Sequence, residues 1–83
     1  MIRQPIAFPG GKPLTRTAAA QVVQTASRFE SRIMIEHAHK IVNAKSMLGL
    51  LSLGVEDQAG MHLVVEGEDE KEAALAMAQV MKE

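Results

Sequence analysis

Cysteine, tryptophan and tyrosine are absent from the 83-residue chain, and Phe8 and Phe29 are its only aromatic side chains. Without thiols there is no disulfide framework, no thiolate metal site and no cysteine nucleophile. Nor is there a dense stripe of Lys and Arg or an aromatic stacking platform, so nucleic acid is not an expected partner. No apolar run approaches the roughly 20 residues of a membrane-spanning helix. The opening Met1-Ile2-Arg3-Gln4-Pro5 lacks the layout of a signal peptide. These absences lead to the expectation of a cytoplasmic protein with no membrane role. No cofactor loop or nucleophile–base pair stands in the sequence, so neither an enzyme nor a bound cofactor is expected.

What remains is aliphatic. Hydrophobic residues make up 47% of the chain, so the core must be built from Ile, Val, Leu, Met and Ala. A chain of this length forms one domain, residues 1–83, around one modest core that depends on close packing. The formal net charge is only −1, yet its placement is uneven. Arg3, Lys12, Arg16 and Arg28 precede the first acid, Glu30, whereas seven acids face Lys71 alone between Glu56 and Glu72. Such polarity can steer an acidic partner to the amino-terminal half. For the acids, the simpler reading is a helix start that complements its own dipole.

Residues 2–8 alternate weakly, with Ile2, Ile6 and Phe8 on one side, and Pro5 assigns this strand to a sheet edge. Pro9-Gly10-Gly11-Lys12-Pro13 breaks it into a loop. Thr15 or Thr17 can cap the next element, a helix whose buried face runs through Ala19, Val22, Val23, Ala26 and Phe29. Residues 32–36 and 40–43 read as a hairpin pair joined through His37-Ala38-His39. Ser46 starts a short helical segment, Met47 to Leu53, that Gly54 ends. Met61, Leu63 and Val65 share one face of a last strand. Gly67 to Glu70 opens a final helix with Ala74, Met77, Ala78 and Met81 buried. The order βαββαβα predicts an α+β two-layer open-faced sandwich, a four-stranded antiparallel sheet covered on one face by three helices.

Three stretches carry a resemblance: Val23-Gln24-Thr25-Ala26-Ser27, Val42-Asn43-Ala44-Lys45-Ser46, and Gly49 through Ser52-Leu53-Gly54. With the weaker Glu66-Gly67-Glu68-Asp69-Glu70, they resemble HPr, the histidine phosphocarrier family of the bacterial sugar phosphotransferase system. The likeness covers essentially the whole chain without gaps. It implies two phosphorylation positions, a histidine at the start of the first helix and a serine at the start of the short one.

The first of these has changed. In an ungapped match the family's histidine falls on Thr15, its motif arginine on Thr17 and its proline on Ala18. A one-residue shift would recover Arg16 as the arginine, at the cost of an extra residue within the helix before Val23. An imidazole nitrogen gives a labile N–P bond that can pass phosphate on. An alcohol needs a neighbouring base to act as nucleophile and yields a poor donor. Thr15 reads most simply as a helix cap or filler. His37, His39 and His62 read as exposed turn and strand residues, and His37-x-His39 lacks the third ligand that a metal site needs.

The second position, Ser46, stays. As a helix-starting residue after Lys45 it could be a simple N-cap, but the resemblance implies a regulatory phosphorylation site, modified by HPr kinase/phosphorylase. At 100° per residue Leu50 and Leu53 fall on one side of the short helix, and Met47, Leu48 and Leu51 on another. A short helix on a sheet buries one stripe, so the second cluster is expected at the surface. By resemblance, Met47, Leu48 and Leu51 with Thr15, Arg16, Thr17 and Ala20 form the partner-binding surface. The implied role is that of family members without the active histidine: a phosphoprotein corepressor of a LacI-type regulator, catabolite control protein A. Direct binding of metabolic enzymes and residual phosphoryl transfer are the alternatives. The chain is expected as a monomer or a strand-swapped homodimer.

Overall fold

In the computed structural model, residues 1–6, 16–37, 39–52 and 61–81 are described. They form β1 (Ile2–Pro5), α1 (Arg16–Ala26), β2 (Arg32–His37), β3 (Lys40–Asn43), α2 (Met47–Ser52), β4 (His62–Glu66) and α3 (Glu70–Val80). The four strands make one antiparallel sheet in the order β1-β4-β2-β3. The expected element order and fold class are therefore those of the molecule.

Period-two alternation explains why the sheet has one covered face. Ile33 and Ile35 of β2 lie opposite Val65 and Leu63 of β4, and all four are fully buried. Met61 precedes β4 on the same side and is buried as well. The helices supply Ala19, Val22 and Ala26 from α1, Leu50 from α2, and Ala73, Ala74 and Met77 from α3. Small residues dominate the helical contribution, which lets α1 and α3 sit close to the sheet and to each other.

β1 occupies an edge, as Pro5 requires, and pairs with β4 in the register Ile2↔Val65 to Pro5↔His62. The Ile6 N–H still donates to the Met61 carbonyl at 3.1 Å. Gln4 shares the covered face with Ile2, and its side-chain amide reaches the Ala74 carbonyl of α3 at 3.5 Å. Phe8, grouped with Ile2 and Ile6 on one side of the first strand, and Leu53, grouped with Leu50, lie outside the described residues.

Several local expectations need correction. α1 begins at Arg16, so Thr17 is its second residue and not its cap; Thr15, the other candidate cap, lies outside the described residues. The helix ends at Ala26, and Phe29 reaches the core from the turn beyond it, where its N–H donates to the Ala26 carbonyl at 3.2 Å. In α3, Ala73 is fully buried and Ala78 only half-buried, because the helix lies rolled about one residue from the expected stripe. His37 and His62 are half-buried, and only His39, in the turn, is exposed as expected. No helix among the described residues is long and apolar enough to cross a membrane.

The acidic start of α3 does more than complement a dipole. Asp69 makes no side-chain cap bond to its own helix. Its carboxylate accepts the N–H groups of Glu30 and Ser31, both at 2.9 Å, and the Ser31 hydroxyl. Gly67 packs on the same loop with a φ of 152°, and a Cβ there would stand 2.7 Å from Ser31 Cα. Only glycine tolerates both that backbone and that approach. Glu70 closes the turn, its Oε1 accepting the Gly67 N–H at 3.1 Å.

Candidate functional site

The turn into α2 is built from four consecutive residues. Asn43 ends β3 and bends the chain back, its side-chain oxygen accepting the Lys45 N–H at 2.8 Å and its carbonyl the Ser46 N–H at 2.9 Å. This Asx-type turn delivers Ser46 to the cap position of α2. Its carbonyl accepts the Leu50 N–H at 3.0 Å and its Oγ accepts the Gly49 N–H at 3.1 Å. The hydroxyl oxygen is therefore held by the Gly49 N–H on a half-buried residue. Lys45, its neighbour in sequence, is committed elsewhere: its ammonium donates to the Phe29 carbonyl at 2.7 Å.

α2 ends as firmly as it starts. The Ser52 hydroxyl donates to the Gly49 carbonyl at 2.7 Å, and Lys40 Nζ reaches the Ser52 carbonyl at 3.2 Å. Helical spacing then divides the apolar residues. Leu50 is fully buried, whereas Leu48 is 82% exposed and Leu51 37%. Met47 departs from the expected exposed cluster. It is half-buried and packs against the core. Met47 lies three residues before Leu50, at an angle that allows either environment, and packing against the core draws it inward, while Leu48 points almost oppositely.

At the start of α1, Arg16 and Thr17 are exposed and Ala20 is half-buried. α1 and α2 touch, yet the Lys45–Phe29 bond fastens the Ser46 turn to the carboxyl end of α1. Arg16 sits at the opposite end, about 15 Å away along the helix axis. Ser46 and Leu48 stand at the start of α2, and Arg16 with Thr17 at the start of α1. Thr15 lies outside the described residues. Sequence reasoning missed the Asn43 turn, the Lys45 tether and the Asp69 clamp. Asn-x-x-Ser before an apolar run was a readable signal for the turn. The other two span 16 and 38 residues and leave no local trace.

Comparison with known proteins agrees with this geometry. The family model described as "PTS HPr component phosphorylation site" matches residues 13–83. The chain is similar to the HPr-like protein Crh of Bacillus subtilis, with 39% identity across all of this chain and 98% of the relative. Among solved structures, the phosphocarrier protein HPr of Bacillus anthracis superposes with a TM-score of 0.84 at 34% identity, over 96% of this chain and 95% of the other. The catabolite repression protein Crh of Bacillus subtilis, solved as a dimer with a swapped domain, gives a TM-score of 0.77 at 38% identity, over 99% and 94%. HPr and its Crh-type relatives are phosphocarriers and regulators rather than enzymes. On its sequence, its topology and these likenesses, the chain belongs to the HPr family.

Proposed function

We propose that this protein is an HPr-like regulator of carbon catabolite repression, working in the cytoplasm, and not a histidine phosphocarrier. HPr kinase/phosphorylase phosphorylates Ser46, and the phosphoprotein serves as corepressor of a LacI-type regulator, catabolite control protein A. The observation that carries this reading is the α2 turn, where a fixed, reachable hydroxyl stands two residues from the exposed Leu48. Thr15 in place of the family's histidine supports it from the other side, since an alcohol does not relay phosphate. The likeness to a protein that carries catabolite repression in its name points the same way.

Phosphorylation adds a charge of about −1.5 to −2 at neutral pH. Placed on Ser46, that charge lies beside an apolar docking patch of Leu48 and Leu51, so one surface would combine a shape signal with a charge signal. Arg16, exposed at the start of α1, supplies the basic side chain that the Thr17 position lacks. The protein acts as a monomer or, by analogy with its dimeric relative, as a strand-swapped homodimer.

The deciding experiment is incubation with HPr kinase/phosphorylase and ATP, followed by mass-spectrometric mapping. One phosphate on Ser46, absent from Ser46→Ala, and binding of the product to catabolite control protein A are expected. An unmodified Ser46 ends the proposal. Enzyme I with phosphoenolpyruvate should leave no acid-labile phosphate on the protein.

A further inference from the structure

Glycine inside a helix weakens it relative to alanine, so a glycine at the third position of a six-residue helix calls for a reason. Gly49 is such a residue, and its conformation does not supply one: it is an ordinary helical position. Its surroundings do. A methyl group on Gly49 would stand 3.4 Å from Ser46 Cβ, 3.4 Å from Ser46 Oγ and 3.4 Å from Val42 Cβ. These are normal contact distances, so alanine would fit without displacing the backbone. The methyl would occupy the space beside the Ser46 hydroxyl, wedged between it and β3.

We infer that Gly49 is the specificity-determining residue for modification of Ser46, its missing side chain leaving room for a phosphoryl group to arrive at Oγ. The inference rests on the reading of Ser46 as the modified residue. In the step concerned, the Ser46 oxygen forms a bond to the γ-phosphorus of a nucleoside triphosphate carried by the kinase. The bond from that phosphorus to the nucleoside diphosphate breaks, and the hydroxyl proton passes to a base on the kinase. Phosphorus must approach Oγ in line with the leaving group. The Gly49 N–H bond already restricts Oγ to one orientation. A methyl in contact with that oxygen removes approach directions that its fixed rotamer cannot recover. Docking through Leu48 and Leu51 is untouched, because both are exposed and the atoms that line this niche belong to Ser46 and Val42.

The test compares wild type with Gly49→Ala, using HPr kinase/phosphorylase, ATP and Mg²⁺, with thermal melting measured in parallel. The expected result is at least a tenfold fall in kcat for Ser46 phosphorylation, with KM for the protein substrate unchanged and a melting temperature equal to or above wild type. Phosphorylation at the wild-type rate overturns the inference, and so does a change confined to KM. A loss of rate that merely follows a lowered melting temperature overturns it too, making Gly49 a packing residue only. Wild type that accepts no phosphate fails differently, by removing the modification itself.

Discussion

At the scale of single residues, Leu48 and Leu50 make a controlled pair, since they share chemistry, helix and neighbourhood and differ in burial. Leu50→Ala leaves a cavity in the core and should cost about 2–5 kcal/mol of stability, read by denaturant unfolding. Leu48→Ala removes a side chain from water and should change stability by less than about 0.5 kcal/mol. Its effect should appear instead as weakened binding of the phosphorylated protein to its regulator. Equal destabilisation by the two would contradict the orientation of α2. The division was legible in the sequence from the helical angle alone. Met47 was not, because an angle of 60° from the buried leucine can serve either environment and only the packing decides.

At the scale of elements, Asp69 joins two turns that belong to different parts of the chain. Its carboxyl is held below the usual carboxylate range, first by the Ser31 hydroxyl and then by the Glu30 and Ser31 N–H groups, which favour the ionised form. A depressed folded-state value contributes stability that is complete above the unfolded value, near 3.9, and is lost as the pH falls through the lower folded one. Asp69→Ala should therefore lower the melting temperature at pH 7. It should also flatten the decline in stability that wild type shows below about pH 4. A variant that melts like wild type at neutral pH, with the same acid profile, would rule out the clamp. Alternation and apolar spacing made the elements readable, and β2, β3 and β4 lie where those patterns put them. The clamp was unreadable because a carboxylate at a helix start has a sufficient local explanation, and its partners are two backbone N–H groups and a serine hydroxyl 38 and 39 residues away.

At the scale of the whole molecule, the sheet has an exchangeable margin. β1 contributes four residues, pairs with β4 alone and lies at the outer edge. Trading it between two copies would preserve every β1–β4 pair and the Gln4 contact with α3, so a swapped dimer and a monomer differ little in contact energy. Light scattering after gel filtration should find a mass of twice 9.0 kDa whose share rises with protein concentration. A constant 9.0 kDa up to millimolar protein would exclude exchange. The fold class was legible because β1, β2 and β4 alternate and each helix keeps a buried stripe, so local and global preferences agree. The candidate surface was legible only as far as periodicity reaches. The Asn43 turn that delivers Ser46 had a readable signal, whereas the Lys45 bond to Phe29 is a matter of three-dimensional bonding.

The clamp also sets a schedule. The entrance to β2 is fastened by a carboxylate that lies 38 residues further along the chain. During synthesis, a ribosome that has made the hairpin and α2 has still not supplied the group that ties off the turn after α1. Closure of this turn thus waits until Asp69 has emerged, and a nascent chain halted before it carries an open seam at Glu30 and Ser31.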